Sequence, residues 1–175
     1  MQRPLLIITA LATLFGVVGL ANAEPVSALK GHDSNAPIDV SADRMEVQDR
    51  ADRAVMAGNV HVKQQQLTLD TARLTIAYTN GPGGLKMQRL DAAGGVVVKS
   101  PTETARGAFG VYDLNRKLIT LVGGVQLIRQ QSQISGSRLV IDLTTGRAVV
   151  DGGAPGLGGS GGRVTGHFTV PQRKG

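Results

Sequence analysis

The sequence predicts an all-β protein built from repeated strand–corner–strand units, and three observations carry that prediction. First, one unit recurs. Asp43–Val62 lies without gaps over Ala108–Leu127, so that Met56, Gly58, Val60 and Val62 fall on Leu121, Gly123, Val125 and Leu127. A third copy, Ser137–Gly152, places Leu139 and Ile141 ahead of a corner at Thr144–Gly146, and a longer one runs from Leu74 through an insertion at Asn80–Gly84 to Val98. The glycines at 58, 94, 123 and 152 are spaced by 36, 29 and 29 residues. A fixed period in that range marks units that cannot bury an apolar face alone and must stack. Second, apolar and polar residues alternate along most segments, the period-two mark of half-buried strands. Third, no stretch between Pro37 and Gly152 combines helical spacing with helix caps.

Residues 1–23 stand outside that pattern. Arg3 precedes an apolar run from Leu5 to Leu20, and Ala21-Asn22-Ala23 is a small-x-small site, as in a secretory signal peptide cut after Ala23. Such a chain is exported, and with no cysteine it folds without disulfides. Residues 24–36 mix Pro, Gly, Ser and Asn without a period and read as a flexible lead-in.

The domain spans 37–171. Pro37 opens a strand, Ile38–Ala42, and suits an edge because proline cannot donate to a ladder. Between Leu67-x-Leu69-x-Thr71 and Leu74-x-Ile76-x-Tyr78 the apolar parity switches, and the same switch recurs at Gly107 and at Gly136. A repeated switch predicts a bulge or corner in every unit. The expected inward set is Met45, Val47, Met56, Val60, Val62, Leu67, Leu69, Leu74, Ile76, Tyr78, Leu90, Val96 and Val98. It continues with Tyr112, Leu114, Ile119, Leu121, Val125, Leu127, Ile134, Leu139, Ile141 and Leu143. Interior packing is normally dense; the small residues at 58, 92, 94, 110 and 123 suggest a lengthwise slot instead. Gly152–Gly162 reads as a flexible loop, Val164, Phe168 and Val170 as part of a last strand, and 172–175 as a basic tail.

Catalytic chemistry finds little footing. His32, His61 and His167 are far apart and show no metal-ligand spacing. Gly159-Ser160-Gly161 lacks the strand–helix setting of a nucleophile elbow, and the Gly-Gly pairs precede strands rather than helices, so they cradle no nucleotide. Asp43, Glu46 and Asp49 read as a solvated edge. The chain therefore reads as no enzyme, without cofactor or metal. A net charge of +6 invites anionic partners, but aromatics are too few for nucleic-acid stacking. One basic constellation remains: Arg50, Arg53, Arg116, Lys117 and Arg147 all fall on the repeated corner, so stacking brings them to one rim able to meet phosphates.

Three passages together resemble a known family. Pro37-Ile38-x-Val40-x-Ala42-Asp43, Gly58-Asn59-Val60-x-Val62-x-Gln64 and Leu67-x-Leu69-x-x-Ala72-x-Leu74-x-Ile76 are similar to the OstA-like (LptA) family, as are Gly123 to Gln130 and Ile134-x-Gly136. The chain departs from it at Gly124, where a second Asn is expected, and in Gly152–Gly162. The resemblance implies a twisted antiparallel β-jelly roll of two facing sheets holding the acyl chains of lipopolysaccharide (its lipid A part) between them. It also implies a periplasmic bridge of head-to-tail copies between an inner-membrane LptC-like partner and an outer-membrane LptD-like one. The exposed edges for such stacking would be Ile38, Val40 and Ala42 at one end and Val164, Phe168 and Val170 at the other. A membrane-anchored assembly factor of the LptC type and a purely structural β-repeat protein are the competing readings.

Overall fold

Nearly every strand pairs antiparallel with the next one along the chain. The computed structural model describes residues 29–153 and 162–169. The signal segment, most of the Gly-rich loop, Val170 and the basic tail lie outside the described residues. The strands are β1 (Asp39–Ser41), β2 (Arg44–Gln48), β3 (Arg53–Gln64), β4 (Leu67–Gly81), β5 (Gly84–Lys99), β6 (Glu103–Asp113), β7 (Leu118–Arg129), β8 (Ser132–Asp142), β9 (Ala148–Asp151) and β10 (Thr165–His167). They form one sheet in the order β1-β3-β4-β5-β6-β7-β8-β10, with β2 beside β1 on β3 and β9 beside β10 on β8. Short hairpins suffice because Gln65, Lys117 and Gln130 take left-handed backbone angles, φ 53, 57 and 53. No helix among the described residues is long and apolar enough to cross a membrane.

The long strands do not run straight. Gly58-Asn59 on β3 oppose the single residue Ala72 on β4, and the register shifts there. Gly94-Gly95 on β5 and Gly123-Gly124 on β7 stand in the same two-against-one relation to Ala72, Ala108 and Ser137. All six doublet residues have positive φ. A two-against-one mismatch bends a strand and sharpens its twist. Repeated at five neighbouring ladders, it creases the whole sheet along one line. The sheet then closes on itself as two facing halves, which is how a single meander becomes the jelly-roll-like sandwich expected from the sequence.

The creased halves face each other through aliphatic side chains. Leu74, Leu121, Leu139 and Leu143 are fully buried, and Met56, Val60, Ile76, Leu90, Val96, Ile119, Val125 and Ile141 nearly so. Each such side chain contributes about 1.5–3 kcal/mol relative to exposure. Of the expected lead-in, residues 29–36 are described, and they are tied down at several points. Leu29 and Ser34 are buried, the Gly31 amide donates to the Leu143 carbonyl at 3.0 Å, and residues 29–36 form a strap along the sandwich rather than a loose lead-in.

Candidate functional site

The apolar interior is the one extended feature that the repeat builds, and alternation decides what lines it. Of the residues expected inward, Met56, Val60, Val62, Leu67, Leu69, Leu74, Ile76, Tyr78, Val96, Val98, Tyr112, Leu121, Val125, Leu127, Leu139 and Ile141 are buried. They form one cluster with Leu90, Ile119 and Leu143, and Leu114 packs against it from the rim. Ile134 is only half-buried.

Met45 and Val47 depart from that expectation. They are 52% and 58% exposed. Their parity is inward, but β2 pairs only with β3, so no further strand covers them. With Ile38, Val40, Met56, Ile76, Tyr78 and Met87 they line an open groove of about 340 Å³ that leads into the N-terminal edge of the sandwich. Leu85, 56% exposed, adds a lip from the β4–β5 hairpin.

The lengthwise slot is not open. A side-chain carbon at Gly110 would lie 2.8 Å from Leu121 Cδ2 and 3.1 Å from Val96 Cγ1, so neighbouring branches already fill that space. The cavity between Val62, Leu69, Leu90, Val98 and Ile119 is about 10 Å³, room for roughly one water. The small residues serve other ends. Gly94 and Gly123 belong to the crease, where an added carbon would meet Ala72 Cβ at 2.8 Å and Ala108 Cβ at 2.7 Å.

Two polar groups break the aliphatic lining. Gln64 is 2% exposed and follows Val60 and Val62 at inward parity. Its amide donates to the carbonyls of Ala36 at 2.9 Å and Ser34 at 3.2 Å, and its Oε1 accepts from Tyr112 Oη at 3.0 Å. Burial pushes the Tyr112 phenol up. At the mouth, Tyr78 Oη donates to Asp49 Oδ1 at 3.3 Å; burial, then Asp49, raises its pKa as well. Gln64 was absent from the expected site, although a polar residue in an apolar parity row is a readable signal.

The basic corners do fall at one end of the sheet. Arg53 is in line with Ala77, Arg89, Asp113, Leu118 and Asp142 across successive ladders. Arg50, Arg53, Arg116, Lys117 and Arg147 are all exposed there. Carboxylates interleave with them, however. Arg116 Nε is 3.9 Å from Asp113, and Arg89, unforeseen in this row, pairs with Asp91 at 2.7 Å. Asp142 caps its own corner through the Thr144 and Thr145 amides at 2.8 and 3.1 Å, and those donors, Thr145 foremost, hold its carboxyl below the usual range. The rim is mixed in sign rather than uniformly basic.

The proposed edges are the sheet's outer strands. Val40 faces Val62 in the β1–β3 ladder, and Ile38, Val40 and Ala42 are half-buried. At the far edge the strand is shorter than the alternation suggests. β10 holds only Thr165–His167, leaving Val164 and Phe168 just outside it, 43% and 65% exposed. Among the described residues, no group of three or more His, Cys, Asp and Glu is placed to hold a metal.

Comparison with known proteins accords with this geometry. The chain is 28% identical to an uncharacterised protein of Rhizobium meliloti (strain 1021) over 171 residues, 93% of this chain and 88% of that one. Its fold matches the crystal structure of LptH from Pseudomonas aeruginosa, described as the LptA-homologous periplasmic component of the lipopolysaccharide transport device. The TM-score is 0.68 at 18% identity, over 79% of this chain and 99% of that one. The family profile of LptA and the LptD N-terminal domain, lipopolysaccharide transport proteins, matches residues 39–147. The creased all-β sandwich thus belongs to the LptA/LptD N-terminal domain family, and is a transport protein rather than an enzyme.

Proposed function

We propose that this protein is a periplasmic carrier of lipopolysaccharide that holds lipid A acyl chains between the two halves of its creased sheet. The observation that carries this reading is the open groove at the N-terminal edge. It is a path of about 340 Å³ from solvent to the buried aliphatic rows, lined by Met45, Val47, Met56 and Ile76. Because the interior is otherwise filled, loading spreads the halves apart, replacing side-chain contacts by acyl contacts of equal polarity. The exposed thioethers and aliphatics at the groove suit that exchange, since methionine adapts to irregular apolar surfaces.

The mixed rim at Arg50, Arg53, Arg116, Lys117 and Arg147 meets lipid phosphates, and β1 with β10 offer the edges for partners. Those partners are a second copy of this chain and the jelly-roll domains of LptC-like and LptD-like proteins, to which a strand adds through main-chain hydrogen bonds. Residues 1–23 direct export and are removed by cleavage after Ala23.

Photo-crosslinkers test the carrier reading. Placed at Ile76 or Tyr78, they capture lipopolysaccharide, and placed at outward-facing Thr75 or Gln126 they do not. Equal capture on both faces would remove the reading. The filled interior favours one other possibility, a structural β-repeat protein. In that case no lipid co-purifies from the native periplasm.

A further inference from the structure

Creasing a sheet leaves a seam opposite the crease, where the strand ends of the two halves approach each other. One side of the seam is the rim, with Asn115–Lys117 and Leu143. The other is the row of opposite turns, Gln65-Gln66 and Ser100-Pro101. Residues 29–36 lie along this seam and touch both sides. Gly31 bonds to Leu143 on the rim at 3.0 Å, while Leu29 to His32 share a cleft with Gln65, Gln66, Ser100 and Pro101. Leu29 itself is 4% exposed and belongs to the apolar cluster.

The strap forms no ladder with either half; its residues are turns and irregular chain. A latch holds it instead. Gln64 binds it through two donated bonds, to Ser34 and Ala36, and through His32 Nε2 at 2.9 Å from Oε1. A carboxamide in an aliphatic row is otherwise a poor choice, because a buried polar group must keep its partners. Its presence ties a segment without sheet pairing to the end of β3.

We propose that the seam is a lipid-binding subsite held by the protein's own residues 29–36, a detachable strap that an incoming acyl chain displaces once the Gln64 latch opens. This deepens the carrier reading and rests on it. Segments held by few bonds open at small free-energy cost, whereas parting the ladders would break many bonds at once. Leu29 occupies the place of an acyl segment, and its exit leaves an apolar position for one.

Hydrogen–deuterium exchange on the full chain, with purified lipopolysaccharide as probe, tests this, alongside crosslinking at Ile76 as an independent measure of binding. Exchange across residues 29–36 rises at least tenfold when lipid is bound, and the Gly31 amide loses its protection. Gln64→Leu keeps the volume and removes the latch. It raises exchange in 29–36 without lipid and speeds lipid capture several-fold. Capture at Ile76 with strap protection unchanged would overturn the proposal and leave the carrier reading standing. So would a loosened strap in Gln64→Leu with capture no faster. Absence of capture by any form would bring down the carrier reading and the strap together. Exchange on the unmodified chain keeps the test decisive if the variant misfolds.

Discussion

Val125 and Gln126 are neighbours on β7 with opposite surroundings. Val125 is 1% exposed inside the sandwich, while Gln126 points outward, half-buried. Val125→Asp places a carboxylate among aliphatics and is expected to cost roughly 3 kcal/mol or more, from lost burial and desolvation together. Gln126→Asp stays within about 0.5 kcal/mol, the usual range for a surface change. Urea melts of the two variants check the assignment, and equal losses contradict it. Tyr112 gives a second test. Its phenol titrates above the ordinary value of 10.0 because burial disfavours the anion. A raised folded pKa means the stabilisation is complete below the ordinary value and disappears as pH climbs through the folded one. The melting temperature should therefore fall on the alkaline side of pH 10, and Tyr112→Phe should flatten that fall. It also removes the bond to Gln64, worth about 1 kcal/mol at neutral pH. Tyr78 titrates in the same direction and leaves a smaller slope in the variant. Parity made most of the lining legible at this scale. It failed for Met45 and Val47 because alternation reports which way a side chain points, not whether another strand covers it.

The crease shows what alternation hides within an element. On β4, β6 and β8 the apolar parity switches across Ala72, Ala108 and Ser137, and that switch is visible in the sequence as a bulge. On β3, β5 and β7 two residues oppose one, a net insertion of one; Met56, Gly58, Val60 and Val62 keep one parity straight through the bend, and the strand looks unbroken. The register shifts and the positive φ of the doublets reveal it. Asp43 played a part that its acidity concealed. It sits opposite Gly58-Asn59, accepting from Asn59 Nδ2 at 2.9 Å, with its amide bonded to the Gly58 carbonyl. Gly123 and Gly124 separate backbone angle from space. Gly123→Ala meets both a φ of 84 and the Ala108 methyl at 2.7 Å, whereas Gly124→Ala meets a φ of 60 with nothing within 4 Å. The former should cost about 2–3 kcal/mol and the latter about 1 kcal/mol. Thermal melts that rank them the other way would mean the crease does not depend on close approach.

At the scale of the whole molecule, the sheet ends in two edges, β1 with β2 and β9 with β10. The two ends of the sheet differ, so a contact between them is head-to-tail and does not close, giving rows of copies rather than dimers. Cysteines at Val40 of one copy and Phe168 of another should trap covalent oligomers, in a chain with no cysteine of its own. A control pair at Val97 and Gln126 should not. Equal trapping by both pairs, or none by the first, would end the end-to-end arrangement. Charge reversal at Arg53, Arg116 and Arg147 should weaken lipopolysaccharide binding more at low salt than at high salt, because exposed charges are screened within about 10 Å at 0.1 M. At this scale the family and the all-β repeat were legible from the order of the motifs. The strap was not, because residues 29–36 carry no period and are anchored by residues distant in sequence, Gln64 and Leu143, and by the burial of Leu29.

The crease has a geometric consequence at those edges. Each is made of two short strands, β1 with β2 and β9 with β10, and at the first the break falls at Ala42-Asp43, level with Gly58. The folding line thus runs out to the last rung instead of stopping short of it. A strand that joins in register meets a template already divided at that point and must turn where its neighbour turns. The cross-section is therefore a property of the repeat rather than of chain length: rungs added at an edge prolong the same profile, and a junction between two molecules need not narrow it.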